Sequence, residues 1–210
     1  MKTPKISFSF IFFLLVLCTT YSQKQIEYRI PSDLVKGVFV ASDDVFEVFV
    51  KTSETKHISV HAEVEGETFE SIILDPVVEN GLWLMKVNRS VGFEAIDDKL
   101  AAHKVISIVL YIELPINKEV WVTSGLASVQ VQGDYDYINM NLSGGDCKLF
   151  DFHGNGIVNT LRGTINVETS DTRIEALTRN GIKKIATNPN GRYQLKLKSV
   201  DGNISVSQSE

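Results

Sequence analysis

The chain has 210 residues, a formal net charge of −5 and 43% apolar residues. That suffices for one domain, or two small ones sharing a core. The acidic balance offers no basic surface for nucleic acid. Of the two cysteines, Cys18 falls in a leader-like segment. Cys147 is then alone, which excludes an intrachain disulfide in the mature chain.

The first residues read as a secretory signal peptide over 1–22. Lys2 and Lys5 supply positive charge, and residues 6–18 form an apolar run broken only by Ser7 and Ser9. Thr20-Tyr21-Ser22 places small residues at the −3 and −1 positions for cleavage before Gln23. The run falls short of the roughly 20 residues a membrane span needs. A retained anchor would need a basic flank that does not follow. Lipid attachment at Cys18 would want a small residue before it, where Leu17 stands. The expected location is periplasm, cell surface or extracellular space. Beyond residue 22 no second apolar stretch reaches membrane length, so no transmembrane segment is expected in the mature chain.

Strand-like runs then follow one another. Gly37-Val38-Phe39-Val40, Val45-Phe46-Glu47-Val48-Phe49-Val50 and His57-Ile58-Ser59-Val60-His61 are rich in β-branched and aromatic residues. Ser42-Asp43-Asp44 and Ser53-Glu54-Thr55-Lys56 separate them with turn chemistry. Further runs cover residues 71–74, 82–87 and 105–114, closed by Pro115. Residues 93–103 alone carry a rough helical spacing, enough for one or two turns. The segment 23–117 therefore reads as an N-terminal β module.

From Lys118 the organisation becomes periodic. Gly125, Gly145, Gly163, Gly181 and Gly202 recur at spacings of 20, 18, 18 and 21 residues. Two and four positions after the glycine stand Cys147 and Leu149, Ile165 and Val167, and Ile204 and Val206. After Gly125 the equivalents are Ala127 and Val129. After Gly181 the fit weakens to Lys183 and Ile185. A second short strand precedes each glycine, as in Val120-Trp121-Val122. Two strands per unit of about 18–21 residues predict a single-stranded β-solenoid, or β-helix, over 118–210, with the N-terminal module on the same core. The fold class is all-β. One unit cannot stand alone. Its four or five aliphatic side chains supply about 2 kcal/mol each, less than the ordering cost of about 1–2 kcal/mol for each of its residues. Gly163 and Gly202 should occupy equivalent corners, with Ile165 and Ile204 facing one core and Asn166 facing out. The competing arrangement, a sandwich of antiparallel hairpins, would pair the same segments in the opposite sense.

At these repeats the chain resembles the adhesin-like domain family of exported bacterial β-solenoid proteins. The resembling segments are Val120-Trp121-Val122-Thr123-Ser124-Gly125, Arg162-Gly163-Thr164-Ile165-Asn166-Val167 and Asp201-Gly202-Asn203-Ile204-Ser205-Val206. Upstream, Val38-Phe39-Val40-Ala41-Ser42-Asp43-Asp44 and residues 98–115 also fit. The resemblance implies a fold and an envelope location. It identifies no site.

No catalytic constellation or cofactor motif emerges, and no cofactor is expected. His57 and His61 would stand about 13 Å apart along a strand, too far to share one zinc ion. Asp134 with Asp136, and Asp43 with Asp44, could contribute to calcium binding, but read better as solvated turn acids without a calcium-loop motif around them. Cys147 alternates with Leu149 and reads as a buried thiol. The aromatics Trp121, Tyr135, Tyr137, Phe150 and Phe152 form the candidate ligand surface, since exposed flat rings beside acids and amides suit a glycan. Burial under neighbouring segments is the competing expectation. The function expected is a non-enzymatic, adhesin-like interaction or structural role in the cell envelope, with a surface glycan or an envelope protein as candidate partner. The alternatives are a carbohydrate-active enzyme, or a soluble glycan-binding module on the same scaffold. The enzyme would need acids or bases in one outward column, and the positions after the glycines hold Asp146, Thr164, Ile182 and Asn203.

Overall fold

The computed structural model describes residues 23–66, 69–90, 106–186 and 190–209. The predicted leader and the helical candidate at 93–103 lie outside them. The described residues are all-β. The strands are β1 (Gln23–Pro31), β2 (Gly37–Ala41), β3 (Val45–Thr52), β4 (His57–Gly66), β5 (Ile72–Glu79), β6 (Leu82–Arg89), β7 (Ile106–Leu114), β8 (Glu119–Ser124), β9 (Ser128–Leu142), β10 (Cys147–Thr160), β11 (Ile165–Thr169), β12 (Thr172–Thr178), β13 (Lys183–Ile185), β14 (Tyr193–Ser199) and β15 (Ile204–Gln208).

All fifteen belong to one mixed hydrogen-bonded sheet with two arms. The first arm runs β1-β4-β7-β3-β9-β10-β11-β15-β13. The second runs β5-β6-β2-β8-β9-β10-β14-β12. The long strands β9 and β10 belong to both, their first halves to the first arm and their second halves to the other. Antiparallel pairing is confined to β1–β4, β4–β7 and β5–β6, and the remaining pairs are parallel. The inward side chains of both arms merge into one hydrophobic core, from Val38 and Ile58 through Val129 and Cys147 to Leu197 and Ile204.

The glycine-marked segments pair in the parallel sense that the periodicity predicts. Ile165 sits opposite Ile204 and Val167 opposite Val206 in parallel register. All four are buried while Asn166 is exposed. The hairpin arrangement is thereby excluded for these segments.

The order of the turns departs from the order of the sequence. Chain order would set the Gly181 turn directly on the Gly163 turn. Instead β15 lies between β11 and β13, and β14 between β10 and β12. The last strand pair of the chain is thus inserted inside the stack, and the pair before it forms the edge.

The corner glycines answer to their neighbours. A Cβ on Gly163 would stand 1.9 Å from the carbonyl oxygen of Gly145, one on Gly202 1.9 Å from that of Gly163, and one on Gly181 2.1 Å from that of Gly202. Glycine is required because successive turns touch there.

Three of these corners share a further device. The residue three before the glycine is Thr160, Thr178 or Ser199. Thr160 Oγ1 donates to Gly163 O at 2.8 Å, Gly202 N donates to Ser199 Oγ at 2.9 Å, and Gly181 N donates to Thr178 Oγ1 at 3.1 Å. The Thr160 and Ser199 hydroxyls, both buried, lie 3.0 Å apart and tie adjacent turns together. This Ser/Thr-x-x-Gly pattern is legible in the sequence and complements the glycine spacing. Residues after the glycine extend the tie: Asp146 Oδ1 accepts from Thr164 N and Asn203 Oδ1 from Ile182 N, each at 2.8 Å.

Candidate binding cleft

The outer face of the first arm carries a concavity lined by aromatic and amide side chains. Its geometry follows from cross-strand register. His61 on β4 stands opposite Tyr111 on β7, Tyr111 opposite Phe49 on β3, and Phe49 opposite Gln130 on β9. In the next row Ser59 faces Glu113, Glu113 faces Lys51, Lys51 faces Gln132, and Gln132 faces Phe150 on β10. These two outward rows line a cleft of about 340 Å³.

Aromatic contacts organise one wall. The Phe49 and Tyr111 rings stack with centroids 5.1 Å apart and planes 8° from parallel. His61 tilts against the far side of Tyr111 at 6.0 Å. The Tyr111 hydroxyl donates weakly to Glu63 Oε2 at 3.4 Å, and His61 Nε2 lies 3.6 Å from the other oxygen of that carboxylate. Desolvation, and then the charge of Glu63, raises the Tyr111 phenol above its ordinary range, so it remains a neutral donor at physiological pH.

Polar groups complete the floor and one end. Gln130 Nε2 donates to Glu47 Oε1 at 3.1 Å, leaving its own carbonyl oxygen to accept. Gln132 is exposed beside it. Lys51 Nζ and Glu113 Oε2 lie 3.7 Å apart and cancel one another's charge. Phe150, 41% exposed, forms the opposite wall.

The five aromatics singled out from the sequence occupy three separate places. Phe150 borders the cleft. Trp121 and Tyr137 lie half-buried on the outer face of the second arm, their centroids 5.9 Å apart, with Trp121 Nε1 donating to Glu119 Oε2 at 3.1 Å. Tyr135 and Phe152 are core residues, stacked at 5.9 Å and 16°. For these two the expected outward placement is corrected. Strict alternation would keep Tyr135 with Tyr137 and Phe152 with Phe150. The register slips in between: β9 carries one residue more than β10 between Asp134 and Tyr137, while Asp151 takes φ of +43° and β10 shifts register between Phe150 and Phe152. Each slip moves the following side chains to the other face. The Tyr135 hydroxyl donates to Gln132 O at 2.8 Å, and burial raises its pKa.

The remaining candidates have structural duties. Asp43 Oδ1 accepts from Gly125 N at 2.6 Å and anchors the first corner. Asp134 pairs with His153 at 3.5 Å. Cys147 is fully buried, and desolvation, aided by the charge of Asp146, pushes its thiol up to about 12, far from a reactive thiolate. Among the described residues no group of three or more His, Cys, Asp or Glu could hold a metal ion, and no helix is long and apolar enough to cross a membrane.

No family model matches the chain, and no curated protein matches it. The fold is similar to the crystal structure of a protein of Clostridium sporogenes, provisionally named a cell adhesion protein. The TM-score is 0.65 at 11% identity, covering 89% of this chain and 100% of that one. A protein of Bacteroides fragilis, provisionally named an adhesin, aligns with a TM-score of 0.40 at 14% identity over 88% of this chain and 97% of its own. At such identity the likeness to the first is one of fold.

Proposed function

We propose that the protein is an exported, non-enzymatic component of the bacterial cell envelope, with an adhesin-like interaction role. In this reading residues 1–22 are a signal peptide removed before Gln23. Residues 118–210 form a two-sided β-solenoid, and 23–117 a β module continuing its core. The observation that carries the proposal is the outward cleft between Phe49 and Phe150, held on a sheet whose strands are fixed on both sides. A rigid scaffold that presents aromatic and amide groups suits binding. The corner column that an enzyme would need for catalysis is engaged otherwise, since Asp146 and Asn203 hold neighbouring turns through their backbone. The fold shared with a protein provisionally named for cell adhesion supports the same reading.

The test combines location, retention and turnover. Mature protein should begin near Gln23 in the envelope or medium fraction. Purified residues 23–210 should be retained by isolated envelope and should release no product from common polysaccharides. Intact Met1 in the cytosol, no retention, or turnover lost in Asp136→Asn would each contradict the proposal.

A further inference from the structure

We propose that Ser170 is a nucleophile activated by His153 and Asp134, and that it takes up one acyl group from an activated ester such as a thioester or an aryl ester. This goes beyond the interaction role proposed above: the chain modifies itself once and turns nothing over.

Three successive turns bring these residues together at the corner between β11 and β12. Asp134 lies on β9, and His153 stands opposite it on β10. Phe152 pairs with Thr169 on β11, so Ser170, next in the chain, comes beside His153. His153 Nε2 and Ser170 Oγ are 2.8 Å apart, and His153 Nδ1 lies 3.5 Å from Asp134 Oδ1. A carboxylate only accepts hydrogen bonds, so Asp134 favours the tautomer with its proton on Nδ1. Nε2 then keeps a free lone pair and accepts from the Ser170 hydroxyl. Hydroxyl, imidazole and carboxylate in that order are the arrangement that activates a serine. His57 meets Arg29 and His61 meets Glu63, and neither ring hydrogen-bonds a hydroxyl.

The turn that carries Ser170 is held from below. Thr169 and Thr172 flank it with buried side chains. Thr169 Oγ1 donates to Phe152 O at 2.5 Å, and Thr172 Oγ1 donates to Ser170 O at 3.0 Å. Asp171 takes φ of +50°, and its carboxylate accepts from Arg192 N at 3.1 Å, which keeps it from competing for His153. The His153 side chain is only 25% exposed, which limits its rotation, while Ser170 sits half-buried at the surface. A nucleophile and base held by such supporting contacts are positioned before any donor arrives.

The step balances. The Ser170 oxygen attacks the ester carbonyl carbon as Nε2 takes the hydroxyl proton. The carbon's bond to the leaving group breaks, and that group departs with the proton from His153. The product is an O-acyl serine, an ordinary alkyl ester. Its alkoxide leaves far less readily than a thiolate or a phenolate, so the product persists and the reaction stops at one acyl group.

The test uses the chain from Gln23 onward and p-nitrophenyl acetate. Nitrophenolate should appear as a burst of one equivalent per chain, and peptide mass analysis should find one acetyl group on Ser170. Ser143, exposed at a glycine corner, should stay unlabelled. Ser170→Ala should abolish the burst, and His153→Gln should slow it at least about a hundredfold, the lower end of what a general base contributes. Asp134 is a positioning residue. Asp134→Asn should slow the burst and move the His153 ring nitrogen resonances toward the Nε2-protonated tautomer, and Asp134→Glu should restore both. Unchanged amide dispersion in each variant shows that the fold persists.

Labelling confined to lysines, an equal burst in Ser170→Ala, or a rate unchanged in His153→Gln would overturn the inference and leave the three residues as a tie between turns. Continued release in which the Ser170 acetyl group turns over would overturn both the acceptor role and the non-enzymatic reading. Retention by isolated envelope without acetylation sinks this inference alone, whereas acetylation without retention sinks the envelope role alone.

Discussion

The turns at Gly163 and Gly181 share their local chemistry and differ in their neighbours. Both place a threonine three residues before the glycine and a strand on either side. The Gly163 turn is enclosed: β11 has β10 on one side and β15 on the other. Its apolar positions Ile165 and Val167 are buried. The Gly181 turn is the edge, and β12 and β13 each pair on one side only, with β14 and β15. Ile174 and Ala176 are half-buried where the paired Leu195 and Leu197 are fully buried. Lys183 stands exposed opposite the buried Ile204, and its ammonium donates to Ala176 O at 3.2 Å across the open end. An edge strand with an aliphatic residue there would invite another chain, and a lysine discourages it. The repeat signal fades where the stack ends because a turn with one neighbour has less to bury.

Ile165→Asp should break the interior most severely. It buries a carboxylate among Cys147, Ile204 and the core, and should cost about 4 kcal/mol or more, enough to abolish cooperative unfolding of the repeat half by circular dichroism. Gly163→Ala should follow at about 3 kcal/mol, because backbone lies on both sides and cannot yield. Gly181→Ala meets a similar clash, yet β13 is free to shift outward, and about 1 kcal/mol is expected. Urea titration of the two variants compares them directly, and equal losses would erase the distinction between interior and edge. Lys183→Val should leave the midpoint nearly unchanged while producing concentration-dependent association by sedimentation velocity. Asn166→Asp, exposed between the same strands as Ile165, should change stability by less than about 0.5 kcal/mol.

Parallel register was legible because glycine and the apolar residues behind it recur in phase, so Ile165 and Ile204 could be matched across 39 residues by pattern. Adjacency was not legible. A repeat encodes that two turns are equivalent and leaves open which one sits next to which, so the insertion of β14 and β15 was missed. The weak match at Lys183 was the clue, readable as an edge only once the pairing is known. Tyr135 and Phe152 were misplaced because a single slip, after Tyr135 in β9 and at Asp151 in β10, changes which face later side chains take, and no local residue pattern announces it. The cleft itself joins Phe49, Tyr111 and Gln130 from three strands distant in sequence, and only their register brings them together.

The insertion of the last strand pair is the claim on which the edge, the lysine and the graded glycine effects all depend. Native-state hydrogen exchange of the chain from Gln23 onward tests it most directly. The amides of Ile204 and Val206 should be protected as strongly as those of Ile165 and Val167, with β13 exchanging far faster than either. Fast exchange across β15 together with strong protection of Lys184 and Ile185 would place the chain's end at the edge and contradict the account.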